Sequence, residues 1–177
     1  MSMLSPVSNR PSACGMLCIL LSLILGCSGN SIRVYPTSGT VTYKGKPLDN
    51  ALVNFIINGK EGQPSTVMGL GTTDKDGRFT IQTTVDPTSM PLEGAVEGEH
   101  AVTISKYIPP KGMTEEDLAK MMARETKLME EQGYLDPEDV TPARVPFLPP
   151  KYQNPAMSVL KATVVPNGEN DFTFELE

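Results

Sequence analysis

Residues able to do chemistry are few in this chain of 177, and imidazole is the scarcest, because His100 is its one histidine. A zinc site built on three His ligands, or an iron site built on two, cannot be assembled within one such chain. A Ser-His-acid triad would have to recruit His100 from the start of a strand, and no Gly-x-Ser-x-Gly elbow accompanies the many hydroxyls. Asp74-Lys75-Asp76-Gly77 sets carboxylates at alternate positions, as a calcium loop does at its opening. A third acidic ligand and the late bidentate Glu are missing, and a hairpin turn uses the same residues. Glu93, Glu97 and Glu99 flank Gly94 and Gly98 and could gather a cation, or could simply make a solvated loop. No spacing among the acids marks out a pair of the glycosidase kind. These residues point away from turnover, and neither a cofactor nor a metal is expected.

The three cysteines, Cys14, Cys18 and Cys27, all lie near the amino terminus. Residues 1–12 contain Arg10 and no acid, and residues 13–25 form an uncharged apolar run. That is the layout of a secretory signal, shorter than the roughly 20 residues a helix needs to cross the hydrocarbon. The run ends in Ile24-Leu25-Gly26-Cys27, which resembles the lipobox of bacterial lipoproteins. The resemblance implies diacylglyceryl transfer to the Cys27 thiol, cleavage between Gly26 and Cys27, and fatty acylation (palmitate or its like) of the new amino terminus. Two or three chains hold a protein on a bilayer where one does so only marginally. Ordinary signal-peptidase cleavage and an uncleaved anchor are the competing readings. Ser28 stands where an Asp would, by the same resemblance, retain the protein at the inner membrane, so the expected place is the outer membrane of a cell envelope.

Cleavage would leave Cys27 as the only thiol, so no disulfide is available in spite of export. Loss of Arg10 takes the 15 basic residues to 14 against 21 acidic, moving the net charge from −6 to −7. Nucleic acid is therefore not expected as a partner, since phosphate contacts need clustered Lys and Arg.

The elements that must position these groups read as strands. After a tether over residues 27–33, apolar residues alternate with polar ones between turn signals. Val41 and Tyr43 share a face; so do Ala51, Val53, Phe55 and Ile57; so do Phe79 and Ile81 after the Asp76-Gly77 turn. Val102 and Ile104 alternate with Ala101, Thr103 and Ser105, then Leu160, Ala162 and Val164 pair with Phe172, Phe174 and Leu176 across Asn167-Gly168. The sequence thus predicts an all-β meander of about seven short strands over residues 34–177, folded as a two-layer sandwich because each one-faced sheet needs cover.

Ser38-Gly39-Thr40-Val41-Thr42-Tyr43-Lys44-Gly45-Lys46-Pro47-Leu48, Thr73-Asp74-Lys75-Asp76-Gly77-Arg78-Phe79 and the Gly94 to Ile104 segment together resemble the carboxypeptidase regulatory-like, or transthyretin-like, β-sandwich module. The likeness covers residues 37–108 and extends to 149–177. It implies a module that binds or braces and is not itself a catalyst. The alternative is a hydrolase accessory, or a weak envelope hydrolase using His100.

Between Tyr107 and Val145 the pattern changes, marking residues 109–144 as an insertion. Thr114 with Asp117 makes an acidic capping box, Glu115, Glu116 and Asp117 suit the positive end of the helix dipole, and Gly133 is a C-cap. One amphipathic helix is predicted through about Gln132, its stripe formed by Leu118, Met121, Met122, Leu128 and Met129. Eight of the 16 prolines fall between 109 and 155, so the flanking chain is stiff and extended. The methionine-rich stripe either lies on the sandwich or meets a partner, since thioether side chains repack readily. An envelope protein or a surface glycan is the expected partner, reached from a lipid anchor at Cys27.

Overall fold

A computed structural model describes residues 32–57, 67–85 and 88–177. Gly26, Cys27 and the signal segment lie outside the described residues. The elements in chain order are β1 (Val34–Tyr35), β2 (Ser38–Tyr43), β3 (Lys46–Pro47), β4 (Leu52–Ile57), β5 (Met68–Thr72), β6 (Arg78–Thr80) and β7 (Gln82–Thr84). There follow β8 (Leu92–Glu93), β9 (Ala95–Val96), β10 (Gly98–Ser105), β11 (Tyr107–Ile108), α1 (Glu115–Gln132), β12 (Val145–Pro146), α2 (Pro150–Gln153), β13 (Leu160–Val164) and β14 (Asp171–Leu176). The described chain is therefore mostly β-sheet, with two helices, of which only α1 exceeds one turn.

Alternation makes the layers. Val53 and Phe55 of β4, Val41 of β2, Phe79 of β6 and Phe174 and Leu176 of β14 are all buried, while their polar neighbours face outward. β13, β10, β4, β5, β7 and β8 form a six-stranded sheet in that order. β2 is the centre of the second sheet, with β14 along one edge and β3 and β6 along the other. The ring of Phe55 crosses from the first sheet to the second, 6.3 Å from Phe79, 5.7 Å from Phe172 and 6.3 Å from Phe174. The two sheets thus share one core, as a sandwich does.

The order of strands is not the sequential meander that the alternation predicted. β14 runs parallel to β2, with Asp171 opposite Ser38 and Leu176 opposite Tyr43, so the whole sandwich lies between two paired neighbours. Close approach is possible because Gly39 has no side chain; a Cβ there would lie 2.1 Å from the Phe172 carbonyl oxygen. β10 departs from one-faced burial as well. Ala101, Thr103 and Ser105 are buried along with Val102 and Ile104, and the Thr103 hydroxyl accepts a 3.0 Å hydrogen bond from Asn54 Nδ2. Small residues on the outer face tolerate cover that large polar ones would resist.

Strand direction gives the sandwich two distinct ends. Ser38, Thr80, His100, Val164 and Asp171 are at one; Tyr43, Leu52, Ser105 and Leu176 are at the other. The chain enters β2 at the first end. The insertion leaves β10 and returns at the second, where β11 pairs with β12 and Leu148 and Tyr152 extend the core.

Candidate functional site

The insertion is built from a helix and a strap. α1 starts at Thr114, whose hydroxyl accepts from Asp117 N (3.1 Å) while its own N–H donates to Asp117 Oδ2 (2.9 Å), the reciprocal bonds of the predicted box. The Thr114 hydroxyl also donates to Asp117 Oδ2 at 2.6 Å, and this bond, followed by the one from Thr114 N–H, holds the Asp117 carboxyl below the usual carboxylate range. α1 stops at Gly133, left-handed at φ 77°, whose N–H returns to the Met129 carbonyl. The chain then doubles back along the helix. Asp139 pairs with Arg124 at 2.6 Å, Thr141 N donates to Glu125 Oε2 at 3.0 Å, and Arg144 grips Glu115 through both carboxylate oxygens at 2.7 and 2.6 Å. The bidentate Arg144 guanidinium also lowers the pKa of Glu115.

This strap divides the predicted stripe. Leu118 is buried, Met121 and Leu128 are half-buried, and Met122 and Met129 stay 53% and 47% exposed. The two methionines form the floor of an open groove of about 420 Å³, walled by Thr126 and Leu135 and rimmed by Glu125 and Glu130. Leu135 was not among the predicted site residues. The signal that marks it is the apolar pair Tyr134-Leu135 directly after the cap glycine, where helix ends recruit a hydrophobic contact.

A second, polar cleft of about 550 Å³ lies at the entry end, between Ser38, Arg78, Gln82, Glu93, Glu169 and Asp171. Two buried polar residues that line it, Thr37 and Asn170, are spent on structure: the Thr37 hydroxyl donates to the Tyr35 carbonyl at 2.8 Å, and Asn170 closes a turn. Asn170 accepts from Val165 N at 2.9 Å and donates to the carbonyls of Val165 and Pro36 at 3.1 and 3.3 Å, tying the β13–β14 turn to the chain that enters β2. Ser38 Oγ donates to Asp171 Oδ1 at 2.9 Å. Thr37, Ser38 and Asn170 of the cleft are thus engaged in holding the junction.

His100 is 1% exposed, packed 5.6 Å from the Phe55 ring, with Nε2 at 2.7 Å from the Val96 carbonyl oxygen and Nδ1 without a partner among the described residues. Burial lowers its pKa; the carbonyls of Val96 and Phe55 oppose this without cancelling it. The structure thus places His100 in the core and not at an exposed strand edge. Asp74 Oδ1 accepts from the N–H groups of Asp76 and Arg78, each at 2.9 Å. Gly77, at φ 74°, completes the hairpin where a Cβ would meet the Val41 carbonyl at 2.4 Å. The Asp74-Asp76 motif therefore closes a turn. Glu99 faces Lys161 at 3.4 Å and Glu93 lines the cleft. Among the described residues no cluster of three or more His, Cys, Asp or Glu is arranged to hold a metal, and no helix is long and apolar enough to cross a membrane.

No family model, curated protein or solved structure matches the chain.

Proposed function

We propose that this chain is a lipid-anchored, non-catalytic module of a bacterial envelope, a β-sandwich of the transthyretin-like kind that works by contact and not by turnover. The observation that carries this reading is the separation of the two ends. The described chain enters β2 at Ser38, whereas the insertion bearing the apolar groove is rooted beyond Ser105 of β10, at the opposite end of the sandwich. Six residues lie between Cys27 and Val34, and the span from one to the other reaches at most about 25 Å when extended. An anchor there would hold the entry end near the bilayer and leave the root of the insertion away from it. The burial of His100 counts against the hydrolase alternative.

Metabolic labelling with an alkyne fatty acid tests the anchor. The wild-type chain is expected to take up label and to sediment with membranes. Cys27→Ala is expected to do neither. An unlabelled wild type, or a variant that keeps its label, refutes the proposal.

A further inference from the structure

We infer that the groove between α1 and the strap is a docking site for a cationic, amphipathic polypeptide segment of a second protein, which seats an apolar side chain on Met122 and Met129 and a Lys or Arg beside Glu130. This deepens the contact reading above by naming the partner's chemistry.

The argument starts from charge. α1 carries six acidic residues and three basic ones. Each of those cations already has an intramolecular partner: Lys120 with Glu116 at 2.8 Å, Arg124 with Asp139 at 2.6 Å and Lys127 with Glu131 at 3.7 Å. Arg144 of the strap is likewise committed to Glu115. At the groove's rim this leaves Glu125, whose bonding partner is the uncharged Thr141, and Glu130; neither has an ion-pair partner among the described residues. The rim is therefore negative, and no cation among the described residues pairs with it there.

The floor is apolar and adaptable. Two exposed methionines and Leu135 surround a space of about 420 Å³, enough for one or two large side chains, and thioethers adjust to the shape they meet. The wall is closed on itself, since Thr126 Oγ1 donates to the Met122 carbonyl at 2.9 Å. A guest thus gains from burying apolar atoms on the floor and from bringing a cation to the rim, which is how basic amphipathic segments enter helix-lined grooves. A second copy of this chain would set Glu125 and Glu130 against their own kind, and an anionic lipid surface would meet the same repulsion.

The test uses the full-length chain in zwitterionic nanodiscs and two fluorescent 18-residue helical peptides, one of Leu and Lys and one of Leu and Glu, read by anisotropy. The Leu/Lys peptide is expected to bind and the Leu/Glu peptide not to. Met129→Asp is expected to weaken binding at least tenfold, and Glu130→Lys about fivefold, the scale of an exposed charge pair. Both side chains are solvent-facing, so an unchanged thermal melt keeps either variant interpretable. Equal binding of the two peptides, or wild-type affinity in both variants, overturns the inference. So does self-association that Met129→Asp abolishes, which would make the guest a second copy, or capture by anionic vesicles in place of peptide. The titration reads the groove whether or not Cys27 carries lipid, so the anchor and the groove fail separately.

Discussion

Replacing Phe55 by Ala probes the contact on which the two-layer architecture rests. Phe55 is fully buried on β4, and its ring meets four others: Phe79, Phe172 and Phe174 from the opposite sheet and His100 from the neighbouring strand. Truncating a buried Phe to Ala costs about 3–5 kcal/mol from lost transfer energy and the cavity left behind. Aromatic pairs add about 0.5–1.5 kcal/mol each beyond buried area, so a ring with four partners belongs at the top of that range, near 5 kcal/mol. For a chain of this size that is a fall in Tm of about 15 °C, and a third or more of the stability of an ordinary domain, about 5–15 kcal/mol. With no Trp in the chain, urea unfolding followed by far-UV circular dichroism is the suitable assay. Phe55→Leu, which keeps most of the volume, is expected to lose only about 1.5 kcal/mol. The half-buried Phe172 should cost less than Phe55 when cut to Ala. If Phe55→Ala loses under about 2 kcal/mol, or if Leu and Ala cost the same, the sheets do not pack through this ring.

Acid sensitivity should follow from His100. Burial lowers its pKa in the fold, so the unfolded chain binds the extra proton once pH falls below about 6.5; stability is then full above that pH and declines toward the folded pKa by at most about 1.4 kcal/mol per unit. Denaturant midpoints between pH 7 and 5 should show this slope in the wild type and lose it in His100→Gln, and an equal slope in both assigns the effect elsewhere. At the helix, Thr114→Ala removes the capping hydroxyl at a cost of about 1 kcal/mol, confined to an element with one fully buried side chain. Amide exchange in the first turns of α1 should quicken about fivefold while β4 and β10 stay protected. Acceleration in the sheet as well would mean that α1 and the sandwich open as one unit.

What the sequence settled by itself is what depends on residues close together in the chain. The Asp74–Gly77 hairpin, the Thr114–Asp117 box and the Gly133 cap were all readable because each is made by groups within a few positions of one another. The inward faces of β2, β4 and β14 were readable for a related reason: period-two alternation is written into the chain before any strand finds its neighbour. Three matters had to wait for tertiary structure. The parallel match of β14 with β2 joins Ser38 to Asp171 across the whole sandwich, and no local pattern encodes a partner so distant. The outer face of β10 is covered although Ala, Thr and Ser read as neutral between water and core. The helix stripe is split because the strap delivers Asp139, Thr141 and Arg144 to one flank of α1 and leaves Met122 and Met129 open. Periodicity tells which side of a helix is apolar, but only the path of the returning chain determines how much of that side is covered.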